Sequence, residues 1–414
     1  VESGWWRSFN DPQLSALVQL ALGRNDEIRS AQARLQEYRA RVTVAASGQQ
    51  PVLTAGFTPQ KARAIGPFGE PISITSYQGA VQASYELDVF GKLAATTAAA
   101  RFDYAAQQAA ADATALSVAA NVASGYLRLR GLDAELDLAR ATLESRKRSL
   151  HLAQRQFEVG YSSRLELAQA EAEYRQTAAT IPLLERNIDE QENALSLLVG
   201  ANPGAISRGS PLDQISPPPI AAALPSELLR RRPDIAQAER TIAAADANLA
   251  AARDQLLPSI RLSASASAYG TGIADLLSSP AALWSVGGSV LAPVFDAGRL
   301  RAQTDIAASL RDRAIFAYEG VVRNAFAETE NALASIRLLN EQIVEAELRA
   351  QASAEALRIA HNRYTNGYAS YLEELDAQRN LFNAETSVIQ QRALLLGAHV
   401  NLYRALGGGW TRTQ

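Results

Sequence analysis

The chain repeats itself once, and that repeat limits its fold more than any other feature. Residues match others 207 positions further on, half of the 414-residue length, without a gap. Ile28 matches Ile235, Pro51 matches Pro258, and Gly91-Lys92-Leu93 matches Gly298-Arg299-Leu300. Gly160-Tyr161 matches Gly367-Tyr368, Leu165-Glu166 matches Leu372-Glu373, and Gly200 matches Gly407. The register predicts two tandem copies of one structural unit, 1–207 and 208–414, with the same order of elements in each.

Within each copy the hydrophobic period changes from helical to extended and back. A helix is expected over 12–47, with Asp11 as N-cap ahead of Pro12, and its counterpart over 225–257, opened by Leu224-Pro225-Ser226-Glu227. Both stop before a proline, Pro51 or Pro258, which disfavours helix in its predecessor. A period of 2 then takes over: Ser76, Gln78, Gln82, Ser84 and Glu86 alternate with Tyr77, Val81, Tyr85 and Leu87. In the second copy Arg261, Ser263, Ser265 and Ser267 alternate with Ile260, Leu262, Ala264, Ala266 and Ala268, and Ser285 and Ser289 with Trp284, Val286 and Val290. The strands fall near 51–62, 72–88, 258–269 and 283–295, with loops from Lys61 to Pro71 and from Gly270 to Ala282.

Uninterrupted helix formers predict long helices over 92–159 and 299–366, each extending about 100 Å. Turns at Gly160 and Gly367 lead into shorter helices over 163–199 and 370–406, the first of which contains Pro182, a residue that costs ~3 kcal/mol or more in a helix interior. Each opening helix and returning helix together match the span of one long helix, so the two are expected to stack end to end beside it. The remaining segments, 1–11, 200–225 with Pro217-Pro218-Pro219, and 407–414, fall at the level where the short helices meet and form a waist, not a separate domain.

Composition removes several functional classes. A net charge of -3, with Lys61, Lys92 and Lys147 the only lysines, gives no footprint for nucleic acid. Cysteine is absent, which rules out disulfides and thiolate chemistry within these residues and suits an oxidising compartment. Methionine is absent even at position 1, so the sequence is expected to start downstream of its initiation codon and of any signal peptide. No run of about 18 apolar residues exists for a transmembrane helix, but a β-barrel strand needs only about 9 to 11 alternating residues. His151, His361 and His399 show no ligand spacing, and no Walker loop, nucleophile elbow, zinc motif or dinucleotide fingerprint occurs. The chain is expected to be no enzyme and to need no cofactor or metal.

Four two-faced strands leave open sheet edges, which lipid does not tolerate, so closure requires further copies. Two chains would give about eight strands and a barrel filled by its own side chains, whereas three would give about twelve and a water-filled lumen.

The stretches Tyr85-Glu86-Leu87-Asp88-Val89-Phe90-Gly91-Lys92, Pro293-Val294-Phe295-Asp296-Ala297-Gly298-Arg299, Arg232-Pro233-Asp234-Ile235, and Asn366-Gly367-Tyr368 leading to Leu375-Asp376-Ala377-Gln378 resemble the outer-membrane factor family of TolC and OprM type. The likeness runs from Trp5-Trp6 to Gly407. It implies an α+β membrane protein: a homotrimer with a twelve-stranded outer-membrane barrel continuous with a periplasmic α-helical barrel. It implies a passive exit duct for multidrug efflux, opened by a periplasmic adaptor (membrane-fusion) protein and fed by a proton-driven inner-membrane transporter of RND type. The OprM-type branch carries a lipid on an N-terminal cysteine, and any such anchor would lie upstream of Val1.

Residue roles follow from parity and from this resemblance. Gln78, Gln82, Glu86, Arg261 and Ser265 are assigned to the barrel lumen, and Tyr77, Tyr85 and Trp284 to the lipid side. Leu372 and Asp376, four apart, share one helix face. Their positions match the periplasmic aperture of OprM-like proteins, where threefold symmetry makes rings of them, although the spacing alone also fits a seam leucine and a solvated charge. Leu165 and Gln169 hold the equivalent places without the acid. The tips Gly160-Tyr161 and Gly367-Tyr368 are expected to contact the adaptor. Two other readings are a type I protein-secretion channel in the same architecture and a coiled-coil scaffold without transport, which would have no use for paired amphipathic strands.

Overall fold

The structure, a computed structural model, describes residues 4–216, 231–278 and 281–408. After a 3₁₀ turn at Trp5–Phe9 come helices α1 (Pro12–Arg24) and α2 (Asp26–Ser47). Strands β1 (Val52–Ile65) and β2 (Pro71–Leu87) precede α3 (Lys92–Glu158) and α4 (Arg164–Leu198). Then follow α5 (Pro233–Asp254), β3 (Ser259–Gly270), α6 (Ile273–Ser278) and β4 (Ala281–Leu291). The chain continues through α7 (Arg299–Thr365) and α8 (Tyr371–Ala405). α3 and α7 contain 67 residues each, and α4 and α8 35 each.

These elements make two compact units, one from Val1–Gln32, Ala110–Ala236 and Val321–Gln414, the other from Ala33–Ala109 and Gln237–Gly320. Each draws on both halves of the sequence. The first unit holds a core in which Trp5, Phe9, Leu14 and Val18 meet Val122, Tyr126 and Leu129 of α3 and Leu195 of α4. Ala119, Ala120 and Ala123 are buried there, small side chains that let α3 pack closely against its neighbours. Trp5 also stacks on Tyr403 with ring centroids 5.5 Å apart. α4 runs unbroken through Pro182, with Leu184 and Ile188 buried just beyond it.

Sequence and structure differ at several boundaries. The helix expected over 12–47 is two helices, divided at Asn25. The Asn25 Oδ1 accepts hydrogen bonds from the backbone N–H groups of Glu27 (2.9 Å) and Ile28 (3.1 Å), so Asn25 caps α2. Its Nδ2 donates to the Leu198 carbonyl at 2.8 Å, tying this break to the end of α4. In the second half Arg232 occupies the matching place immediately before α5 and donates from Nη1 to the Ala405 carbonyl at 3.1 Å. The two bonds, whose ends lie 207 positions apart in the sequence, make like connections with different chemistry.

The helix expected over 225–257 ends at Asp254, and its proposed start, with Pro217-Pro218-Pro219, lies outside the described residues. β1 continues to Ile65, which shortens the first loop to 66–70, because its pairing with β2 persists from Lys61↔Thr75 to Ile65↔Pro71. The second loop contains α6. β4 stops at Leu291, short of the expected 295, two residues before Pro293, which has no N–H for a ladder.

Both hairpin turns close alike. Gly160 has φ 77° and Gly367 φ 76°, the left-handed conformation that glycine adopts without strain. Gly160 N–H donates to Phe157 O (3.0 Å) and Tyr161 N–H to Gln156 O (2.8 Å). Gly367 to Tyr364 (3.0 Å) and Tyr368 to Arg363 (2.8 Å) repeat this pair, a Schellman closure that satisfies carbonyls at the helix end.

Candidate functional site

The second unit carries one antiparallel sheet in the order β1-β2-β3-β4, with β1 and β4 as its edges. Residues opposite one another in a ladder share a face. Gln82 pairs with Thr54 on one side and Ser265 on the other, and Ser265 with Ser285. Gln78 pairs with Thr58, and Glu86 with Arg261. The polar residues expected to share a face therefore do so, joined by Thr54 and Thr58, which sequence parity had not singled out. Ser265 and Ser285 hydroxyls bond across the strands at 2.9 Å. Glu86 forms ion pairs with Lys92 at the start of α3 and, at 3.5 Å, with Arg261. Tyr77, Tyr85 and Trp284 lie on the opposite face, where Phe57 stacks on Tyr77 with centroids 6.3 Å apart. Trp284 is 80% exposed and Val286 76%, so the apolar face is open along β4.

The first unit carries the hairpin turns. On α8, Tyr371, Glu374, Leu375 and Gln378 are buried, spacings of one helix face. Tyr371 and Leu375 pack with Ala153 of α3 and Ala170 of α4. That packing turns Leu372 (55% exposed) and Asp376 outward on the other side. The Asp376 carboxylate accepts a hydrogen bond from Asn380 Nδ2 at 3.2 Å. Leu165 of the first hairpin is likewise exposed, and Gln169 beside it is half-buried.

Behind this face lies a polar cluster that the sequence did not announce. Glu374, 3% exposed, accepts from Gln378 Nε2 at 2.9 Å and is 2.9 Å from His361 Nδ1 across the turn. Arg379 Nε donates to Glu173 of α4 at 2.8 Å, and Tyr364 donates to Gln156 of α3 at 2.7 Å. Burial pushes the Tyr371 and Tyr364 phenols up to about 12, with Glu374 adding to both. Burial also lowers the Arg146 guanidinium, against the pull of Glu173. A cavity of about 540 Å³ opens between Ser149 and Leu152 of α3, His361 of α7 and Tyr371 of α8. The three histidines are separate, but His361 has the carboxylate partner its sequence neighbours do not provide.

Among the described residues no group of three or more His, Cys, Asp or Glu could hold a metal. Among the same described residues no helix is long and apolar enough to cross a membrane. The two-faced sheet is the one element described here with the pattern of a membrane-spanning surface.

Comparison with known proteins agrees with this geometry. The family model for outer membrane efflux proteins matches residues 17–201 and again 224–408, two stretches with the same 207-residue offset. The chain belongs to the outer membrane efflux protein family. It is similar to the toluene efflux pump outer membrane protein TtgC of Pseudomonas putida, with 33% identity over 99% of this chain and 86% of the relative. It is 32% identical to the pyoverdine export outer membrane protein OpmQ of Pseudomonas aeruginosa, over 98% of this chain and 87% of the relative. The crystal structure of CusC, described in connection with transmembrane channel formation, superposes with a TM-score of 0.92 at 30% identity, covering 99% of this chain and 95% of that one. The family is one of outer-membrane efflux ducts, not of enzymes, and this chain is an efflux duct of the outer membrane.

Proposed function

We propose that three copies of this chain form one duct, a twelve-stranded barrel in the outer membrane continued by helices into the periplasm, built from two structural repeats per chain. The observation that carries this reading is the sheet: one polar face, one apolar face and two unpaired edges. Pairing β4 of one copy with β1 of the next removes every edge and gives both faces a solvent they suit. Gln78, Gln82, Glu86, Arg261 and Ser265 then line the water-filled lumen, while Tyr77, Tyr85 and Trp284 meet lipid.

The duct is the passive outer component of a tripartite multidrug pump. A periplasmic adaptor engages the tips at Gly160-Tyr161 and Gly367-Tyr368, where Tyr161 is 88% and Tyr368 79% exposed. An inner-membrane transporter supplies the energy. Leu372 and Asp376 form stacked rings at the periplasmic aperture, supported by the packing that turns both outward. Relatives named for solutes as unlike as toluene and pyoverdine support placing most selection upstream in the transporter.

Oligomer mass in detergent and single-channel conductance in planar bilayers test this reading. A trimer with small, mostly closed conductance is expected. A soluble monomer without membrane activity would overturn it.

A further inference from the structure

The apolar face of the sheet ends abruptly, and what lies just beyond its end is cationic. On β2 this face runs from Leu87, next to α3, through Tyr85 and Val81 to Tyr77. The ten steps between them, at ~3.3 Å rise each and a tilt of ~40°, cover about 25 Å, the height of the apolar band of outer-membrane barrels. The next two residues of the same face are Thr75 and Ser73. Directly opposite them on β1 stand Lys61 and Arg63, in the pairs Lys61↔Thr75 and Arg63↔Ser73.

Both cations are exposed, and neither makes an ion pair among the described residues. Lys61 is one of only three lysines in the chain, so its place here is not part of a general surface charge. The nearby turn is closed by the Gly66 N–H donating to the Glu70 carbonyl at 2.7 Å, and Glu70 pairs with neither Lys61 nor Arg63. Two unpaired cations and two hydroxyls thus share a small patch, next to the aromatic pair Phe57 and Tyr77 that marks the end of the apolar band.

We propose that Lys61 and Arg63, with the hydroxyls of Thr75 and Ser73, bind the phosphate groups of a glycolipid headgroup in the outer leaflet of the outer membrane. This rests on the assignment of the apolar face to lipid under the proposed function. The strand ends away from the long helices then lie at the outer boundary. An arginine fork and a lysine point charge are the two side chains suited to phosphate, and serine and threonine hydroxyls supply further donors. A headgroup held here lies against Phe57 and Tyr77, so its acyl chains continue down the apolar face.

The test compares the full-length protein with the double variant Lys61→Gln/Arg63→Gln. Both are reconstituted into neutral phospholipid vesicles containing a small fraction of a bisphosphorylated lipid A, or its dephosphorylated form, and retained glycolipid is counted by native mass spectrometry after detergent exchange. Wild type is expected to retain roughly tenfold or more of the phosphorylated lipid than the variant. The dephosphorylated lipid should be held equally by both. The exchange variant Lys61→Arg/Arg63→Lys, which keeps both charges, should recover most of the retention.

Equal retention of phosphorylated lipid by wild type and double variant, with normal channel conductance in both, would overturn this inference and leave the duct standing; the two cations would then act as edge-strand charges. Loss of the difference in millimolar inorganic phosphate would identify a free-anion site and overturn the lipid assignment. A wild-type protein that neither enters vesicles nor conducts would instead overturn the duct reading on which this one rests.

Discussion

Replacing Asp11 with alanine should loosen α1 from the core of the first unit. The Asp11 carboxylate, 1% exposed, accepts four hydrogen bonds. Two come from the first turn of α1, Gln13 N–H at 2.8 Å and Leu14 N–H at 2.9 Å. The others come from the Tyr126 hydroxyl at 3.1 Å and Ser210 N–H at 3.0 Å, so one side chain joins α1, α3 and the segment after α4. Loss of the cap costs ~1 kcal/mol, and each donor left buried without a partner costs ~1–3 kcal/mol. The total is about 4 kcal/mol, or about 2 kcal/mol if a water fills the space left by the carboxylate.

Hydrogen exchange of a peptide spanning residues 12–24, read in detergent by mass spectrometry, measures this locally. Where opening of α1 governs exchange, 4 kcal/mol accelerates it by roughly three orders of magnitude. Tyr126→Phe alone strands the Gly209 N–H, which donates to the Tyr126 hydroxyl at 2.8 Å. The double variant should cost ~1 kcal/mol or more less than the sum of the singles, because the hydroxyl orphaned by Asp11→Ala is then gone. An acceleration below about tenfold, or strict additivity, would refute the account of this junction.

Three further outcomes are expected. His399 is 4% exposed with no partner for Nδ1, and burial holds its pKa below the ordinary value; the unfolded chain therefore takes up a proton that the native chain refuses. Stability should fall on acidification below about pH 6.5, by up to ~1.4 kcal/mol per pH unit, and His399→Leu should lose that part of the slope in denaturant titrations at pH 7 and pH 5; identical slopes would contradict it. Gly200→Ala should be far more damaging than Gly160→Ala: both have positive φ, but a Cβ at 200 would stand 2.4 Å from the Arg24 carbonyl oxygen, whereas one at 160 meets nothing within 4 Å. Gly160→Ala is expected to cost ~1–2 kcal/mol, and thermal melts that rank the two equally would speak against a close approach at 200. Leu372→Ala/Asp376→Ala should raise single-channel conductance, and an unchanged conductance would place the aperture elsewhere.

Much of the architecture could be read from residue order. The long helices begin at Lys92 and Arg299 and end at Glu158 and Thr365, as uninterrupted helix formers bounded by glycine turns imply. The two faces of the sheet follow from strict alternation, because a period of 2 commits each residue to a side before any partner is chosen. Asp11 caps α1 as its position before Pro12 suggests. The break at Asn25 was also written locally, as an asparagine followed by Asp26 and Glu27, a helix-start signature lying inside an otherwise continuous helical pattern.

What the sequence determined by itself was periodic and local: helix or strand, turn positions, and which residues share a face. Those follow from backbone geometry over a few residues. Only tertiary structure decided which distant groups meet. His361 finds Glu374 because a left-handed turn at Gly367 folds α8 back on α7, and Tyr126 finds Asp11 across 115 positions because both point into one core. Likewise, Asn25 and Arg232 reach equivalent carbonyls with unlike side chains. Burial demands that a polar group be satisfied but does not specify the chemistry, so the pairing is set by packing and leaves no pattern in the sequence to read.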